Sequence, residues 1–212
     1  MAAGGVSHPV FARVYTRLSE ALERHGLAER RRALLGGLSG HVVDVGAGNG
    51  LNFAHYPPSV ERVIAVEPEP RLRRTAREAA RSAPVTIEVV DGLADRLPVP
   101  SGAADAVVFS LVLCSLPDVP AALREARRVL RPDGRLVFLE HVRAPLPGVA
   151  RVQRLLDAGP WPVLAGGCHL SRDAVAEVQG AGFAVERLDR FAFGGIRSPF
   201  TFFVLGAARP EG

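Results

Sequence analysis

Three glycines set two residues apart follow an acidic residue in the stretch VVDVGAGNGLNF, residues 42–53. Asp44 lies within a run of valines, and Gly46, Gly48 and Gly50 follow this run at alternate positions. Glycine leaves backbone N–H groups uncovered and lets a ligand approach the chain closely. The stretch therefore predicts a ligand site at the carboxyl end of a strand, for a ligand with a cationic part that favours Asp44.

A second acidic residue, Glu67, ends the apolar stretch VIAV about 23 residues after Asp44. An acid in this place can accept hydrogen bonds from both hydroxyls of a ribose, so a nucleotide-like cofactor is expected. A dinucleotide fingerprint would require a small residue where Leu51 stands, and a pyrophosphate would be repelled by Asp44. A nicotinamide-dependent oxidoreductase therefore fits this stretch poorly, and we keep it only as an alternative class of enzyme.

The elements that position these residues follow from apolar periodicity. Short β-branched runs alternate with helical patterns over 69–81 and 118–131. This alternation predicts an α/β fold with a mostly parallel sheet and helices on both faces. The runs that predict strands are HVVDV, RVIAV, VTIEVV, DAVVFS and RLVFLE.

Both ends of the chain add elements to this core. An amphipathic helix over 8–25 is expected to act as an N-terminal helical lid, and a second helix is expected over 27–37. After a Pro-rich break, an inserted helix is expected over 149–158. A later helix is predicted from Ser171, as its N-cap, to Ala181, with Asp173 in the first turn.

The last two apolar runs, FAVERLDRF and FTFFVLGAA, predict an antiparallel pair that closes one edge of the sheet. We expect one domain over 1–212, because no linker or repeat interrupts it. Within it, 1–38 forms the N-terminal helices, 40–141 the cofactor-binding core, and 142–212 a substrate-side insertion with the C-terminal antiparallel strands.

Composition narrows the classes of protein. The 212 residues are 48% hydrophobic, which suits one globular domain, and no apolar stretch is long enough to span a membrane. All 26 basic residues are arginines, scattered among acids on helical segments, so no nucleic-acid partner is expected. The two cysteines have no metal-ligand or disulfide spacing, so we expect no metal and a reducing cytoplasmic location. Because no apolar stretch is long enough to span a membrane, we also expect no stable membrane association. The sequence does not predict an oligomeric state.

The pattern D-x-G-x-G-x-G resembles the first motif of the class I S-adenosylmethionine-dependent methyltransferases. The stretches VVDGLADRLPVPSGAADAVVFS and ALREARRVLRPDGRLVFLEHV extend the resemblance over roughly 40–140. It implies S-adenosylmethionine as cofactor and a Rossmann-like, seven-stranded, mostly parallel sheet with one antiparallel edge strand. The residues that it assigns to the cofactor are Asp44, Gly46, Ala47, Gly48, Asn49, Gly50, Asn52, Glu67, Pro68, Asp91, Gly92, Leu93, Ser110 and Leu111.

One departure from the family pattern concerns the adenine loop. Relatives often carry Gly-Asp before this loop, whereas here Asp91 comes one place early and Gly92 is followed by Leu93. The resemblance therefore leaves two expectations open. The adenine amino group donates a hydrogen bond either to a backbone carbonyl or to a shifted Asp91.

Shorter stretches resemble one subgroup, the methyltransferase-like small-thiol S-methyltransferases. These are NGLNFAHYPP, LVLCSL, EHV and GGCHLSRD, in the subgroup's order. The resemblance implies methylation of a small alkyl thiol. Animal members of the subgroup carry an N-terminal membrane anchor, with which this sequence does not begin. An O- or C-methyltransferase of a small metabolite and a non-catalytic cofactor-binding partner of another enzyme remain alternatives.

A thiol acceptor has a pKa of about 8.5 and is mostly protonated at neutral pH, so a base would help methyl transfer. His141 ends the fifth predicted strand on the ligand-binding edge, and His169 precedes the last predicted helix; both are candidate bases. Cys114, Cys168 and Tyr15 are predicted to line the substrate pocket.

Overall fold

The computed structural model describes residue 16 and residues 18–211. The strands are β1 (Gly40–Val45), β2 (Val60–Val66), β3 (Thr86–Val90), β4 (Ala104–Ser110), β5 (Leu130–His141), β6 (Phe183–Ala192) and β7 (Phe202–Pro210). The α-helices are α1 (Ala28–Leu35), α2 (Pro70–Ala80), α3 (Val119–Val129), α4 (Pro147–Asp157), α5 (Trp161–Leu164) and α6 (Ala174–Gly180). Tyr15 and half of the predicted helix 8–25 lie outside the described residues.

The seven strands form one sheet in the order β3-β2-β1-β4-β5-β7-β6. Strands β1 to β5 pair in parallel, whereas β7 pairs antiparallel with both β5 and β6. The predicted fold class is therefore confirmed, and the antiparallel strand lies one place in from the edge strand β6. The order reverses between β1 and β4, which is the point where open α/β sheets bind ligands.

Two apolar cores cover the two faces of this sheet. Strand β1 alternates, so Val43 and Val45 enter the core beneath α3 and α6, whereas Val42 enters the core beneath α1 and α2. Asp44 therefore points to the α1 side. The same alternation in β5 sends Glu140 and His141 to opposite faces.

Acidic side chains cap three of the helices. Glu69 accepts from Arg71 N and Leu72 N at the start of α2, and Asp118 accepts from Ala121 N at the start of α3. The N-cap of α6 is Asp173, so the predicted cap at Ser171 is wrong. The Ser171 hydroxyl instead donates to Asp157 at 2.6 Å, which removes it from the helix end.

The N-terminal described residues approach the glycine loop. Residues 18–22 are helical, and the chain turns at Gly26, whose φ is +116°, before α1 begins. The buried Ser19 accepts a hydrogen bond from the Asn49 amide at 3.3 Å. Within the described part of the chain, no helix is both long and apolar enough to cross a membrane.

Candidate active site

The glycine loop follows β1 and adopts backbone angles that only glycine adopts readily. Gly46, Gly48 and Gly50 have φ values of +67°, +58° and +85°. A Cβ on Gly46 would lie 2.6 Å from a methyl carbon of Val112. The loop therefore packs against the segment that follows β4, and it leaves bare backbone facing the carboxyl edge of the sheet.

Glu67 stands at the end of β2 beside this loop. Its Oε2 accepts from Gly48 N at 2.8 Å, and its Oε1 accepts from Glu69 N at 2.9 Å. Burial raises the pKa of Glu67, while these backbone hydrogen bonds lower it. Each carboxylate oxygen keeps a lone pair, so the ribose role expected of Glu67 agrees with its geometry.

Asp44 lies under the glycine loop with only 1% of its surface exposed. The Asn52 amide donates to both carboxylate oxygens at 3.0 Å, and the Tyr56 hydroxyl donates to Oδ2 at 2.9 Å. Burial raises the pKa of Asp44 to about 6, although the bonds from Asn52 and Tyr56 oppose this rise. The carboxylate is thus a buried anionic centre that its neighbours hold in place.

Arg31 completes the Asp44 network, and the sequence analysis missed it. Its Nη1 donates to Asn52 Oδ1 and to Ser110 Oγ, each at 2.7 Å, and its Nε donates to Glu23 at 3.0 Å. One guanidinium therefore links the loop that follows β1 to Ser110 at the end of β4. A sequence signal did exist, because Arg31 occupies the buried stripe of α1 that also contains Leu34 and Leu35.

The expected adenine end lies beyond β2 and β3. Asp91 is mostly exposed and pairs with Arg73 at 2.9 Å, and the same guanidinium donates to the carbonyl of Pro68. Gly92 is tightly packed, since a Cβ there would lie 2.9 Å from Val66. The side chain of Leu93 is 41% exposed and offers an apolar surface next to these groups.

The segment after β4 is held by a carboxylate that the sequence analysis also missed. Glu140 is fully buried and accepts from the backbone N–H groups of Val112, Leu113 and Cys114 at 2.9, 3.0 and 3.2 Å. Burial raises its pKa to about 7, against the effect of these three bonds. Leu111, at the head of the segment, has a φ of +62°, which is unusual for a residue with a side chain.

Cys114, Cys168 and His169 come together beside this segment. The backbone N–H of His169 donates to the backbone carbonyl of Cys114 at 2.8 Å. The His169 Nδ1 lies 2.8 Å from the carbonyl oxygen of Gly167, which only accepts, so the proton is on Nδ1 and Nε2 carries a lone pair. The side chain is only half-buried.

His141 lies on the face of β5 opposite to Glu140, and its environment differs from that of His169. It is buried against Phe203, and its Nε2 lies 3.2 Å from the carbonyl of Pro199, which places the proton on Nε2. The Nδ1 lone pair is buried without a partner among the described residues. Burial lowers the pKa of His141 to about 4, so the ring is neutral at physiological pH.

These features fit S-adenosylmethionine. The bare glycine loop gives room for the aminoacid part and the ribose, and Glu67 lies where ribose hydroxyls can donate to it. The buried charge of Asp44 favours a cationic ligand over a pyrophosphate. No group of three or more metal-ligating side chains occurs within residue 16 and residues 18–211.

Comparison with known proteins agrees with this geometry. Residues 43–138 match a family model described as a methyltransferase domain. The chain is 34% identical over 161 residues to the thiol S-methyltransferase TMT1B of Homo sapiens, covering 74% of this chain and 66% of that protein. It therefore spans just under two thirds of the length of this relative.

Two further comparisons involve bacterial proteins. A ubiquinone/menaquinone biosynthesis C-methyltransferase, UbiE, of Caulobacter vibrioides is 44% identical over 73 residues, 34% of this chain and 28% of that protein. The solved structure of an S-adenosylmethionine-dependent methyltransferase from Mesorhizobium loti has a TM-score of 0.62 at 23% identity, covering 84% of this chain and 95% of that one. Residues 43–138 thus belong to the methyltransferase domain family, and the chain has the fold of the S-adenosylmethionine-dependent methyltransferases.

Proposed function

We propose that the protein transfers the methyl group of S-adenosylmethionine to a small thiol. The identity with TMT1B carries this proposal, because it extends over 161 residues and so reaches well beyond the conserved cofactor half of such folds. The position of His169 supports it. An accessible base beside the segment after β4 suits an acceptor that must lose a proton.

The reaction is an in-line displacement. The bound cofactor supplies a sulfonium-bound methyl group, which an acceptor thiolate attacks from the opposite side. We infer that His169 Nε2 takes the thiol proton, while Nδ1–H stays bonded to the carbonyl of Gly167. Direct transfer needs no covalent bond to the enzyme, so the protein has only to align the thiol and deprotonate it.

His141 has a separate proposed role. A neutral ring with a pKa of about 4 is a poor base for a thiol whose own pKa is about 8.5. Its unpartnered Nδ1 can instead accept a hydrogen bond from a donor elsewhere on the acceptor, because the single S–H proton goes to His169. We therefore assign His141 to acceptor alignment and His169 to proton removal.

Variants of the two histidines test these assignments. His169→Gln should lower kcat/KM for an alkyl thiol at neutral pH by about 10² to 10⁴, and by far less at pH 9, where the thiol ionises unaided. A thiophenol arrives as thiolate and should be nearly unaffected, which makes it the matched control. His141→Gln should instead raise KM at every pH. Wild-type rates for His169→Gln across pH 6 to 9 would exclude His169 as the base.

Carbon methylation is the second candidate, because of the match to UbiE. That match covers only 34% of this chain, so it supports a shared cofactor site more than a shared acceptor site. A panel of alkyl thiols, phenols and quinols with methyl-labelled cofactor separates the candidates. Labelled thioether as the main product is expected, and label confined to ring carbon would overturn thiol transfer.

A further inference from the structure

Two thiols face each other at the acceptor end of the site. The segment after α5 runs against the segment after β4, since the His169 N–H donates to Cys114 O and Arg172 Nη1 donates to Leu116 O, each at 2.8 Å. Gly167 has a φ of +91°, and a Cβ there would lie 2.6 Å from the carbonyl oxygen of Ser115. These contacts make Cys114 and Cys168 neighbours, and both thiols are free.

The two thiols are unequal in access and in acidity. Cys114 is 3% exposed, whereas Cys168 is only partly buried. The hydrogen bond between their side chains lowers the pKa of Cys168 and raises the pKa of Cys114. A more accessible thiol of lowered pKa beside a buried thiol of raised pKa is the arrangement in which one sulfur attacks and the other resolves.

We propose that Cys168 and Cys114 form a reactive dithiol that reduces small dialkyl disulfides. The choice of substrate rests on the proposed function, because a disulfide made of two acceptor thiols would fit the same end of the site. The reactivity itself rests on the thiol pair alone.

The reaction balances without any other reagent. The Cys168 thiolate attacks one sulfur of the disulfide, the S–S bond breaks, and one alkyl thiolate leaves and takes up a proton. The Cys114 thiol then loses its proton and attacks the Cys168 sulfur, which releases the second alkyl thiolate. Two electrons pass from the protein to the small disulfide. The products are two alkyl thiols and a Cys114–Cys168 disulfide.

The sequence makes the test simple, because it contains only two cysteines. The native protein, freed of reductant and without cofactor, is mixed with bis(2-hydroxyethyl) disulfide. Wild type should release two equivalents of 2-mercaptoethanol and lose two hydrogens in intact mass, with a cross-linked Cys114–Cys168 peptide. Cys114→Ser should release one equivalent and keep one mercaptoethanol group on Cys168. Cys168→Ser should stay unreactive until it is unfolded.

Three outcomes would overturn the proposal. These are a mixed disulfide that persists in wild type, a Cys168→Ser variant that reacts as fast as Cys114→Ser, and disulfide-linked pairs of chains in place of the internal cross-link. Thiol release is measured in the absence of cofactor and does not depend on methyl transfer. A protein that methylates no thiol can therefore still give the expected result. Conversely, a protein that methylates thiols can fail this test, which keeps the two proposals distinguishable.

Discussion

The two halves of the site differ in how deeply their side chains are buried. On the cofactor side, Asp44, Asn52 and Glu67 are at most 5% exposed, and each has protein partners. On the acceptor side, the short helix α5 (Trp161–Leu164) exposes Val163 and Leu164 by 84% and 72%. A cofactor that the whole family shares requires a pre-organised site. On the proposed function, the acceptor, which differs between relatives, meets the less constrained half.

The largest expected effect is the loss of cofactor binding. Gly48 has a φ of +58°, and its N–H donates to Glu67, so Gly48→Val should abolish binding of S-adenosylmethionine in calorimetry. Gly102→Val is the matched control, because Gly102 has a φ of +63° in open space away from the site. The control should lose stability but keep its affinity. Equal loss of affinity in both variants would mean that general strain, and not the site, is responsible.

A second prediction concerns the carboxylate that supports the segment between the halves. The pKa of Glu140 is about 7 in the folded protein against an ordinary value of 4.5. The folded state therefore holds this proton more tightly, and the stability that the group contributes below pH 4.5 is lost as the pH rises through 7. The free energy of unfolding of wild type relative to Glu140→Gln should fall by about 3 kcal/mol between pH 4.5 and 8.

Urea unfolding at several pH values measures this difference, and Glu125→Gln provides the contrast. The hydrogen bond from Arg128 lowers the pKa of Glu125, so its contribution is present at neutral pH and is lost as the pH falls. The two variants should therefore differ from wild type with opposite pH slopes, Glu140→Gln between pH 4.5 and 8 and Glu125→Gln below pH 4.5. Parallel slopes would contradict the assigned ionisation of Glu140.

A smaller loss is expected at Asp44. Asp44→Asn should weaken S-adenosylmethionine binding by about 1.5 to 3 kcal/mol, roughly 10- to 150-fold. Because the pKa of Asp44 is about 6, the carboxylate gains its charge as the pH rises through 6. Wild-type affinity should therefore increase over this range, by up to about tenfold per pH unit below 6. The Asn variant should show a flat profile in calorimetry, and a parallel pH dependence would exclude Asp44 as the titrating group.

The smallest effect is expected on the acceptor half. Leu164→Ser replaces a side chain that is already 72% exposed, so the free energy of unfolding should change by less than about 0.5 kcal/mol. Cofactor affinity should not change. A Leu164→Ser variant that unfolds much more easily in urea would show that this half is as constrained as the other.

The sequence predicted the features that depend on local pattern. The glycines after β1, the acid at the end of β2 and the alternation of strands and helices are each visible within a few residues. Arg31 and Glu140 were missed because their partners are distant in sequence: Ser110 is 79 residues from Arg31, and Val112 is 28 residues from Glu140. Their only local signal is a charge within a buried stripe.

The N-cap of α6 was also mispredicted because it depends on a contact with another element. Ser171 and Asp173 are both good N-cap residues, and local preference does not separate them. The choice is made by Asp157 from α4, which engages the Ser171 hydroxyl and leaves the helix end to Asp173. A tertiary contact thus moved the helix start by two residues.

The position of β7 has a consequence for how the protein reaches its native state. This strand follows β6 in the chain but lies between β5 and β6, so until β7 has been synthesised β6 has no neighbour in the sheet and β5 pairs only with β4. Until then the apolar strand β5 presents an open edge, which can pair with other chains. His141 at the end of β5 pairs with Phe203 of β7, so this part of the acceptor half is completed last. Chains interrupted before β7 should therefore aggregate instead of persisting as folded cofactor-binding fragments.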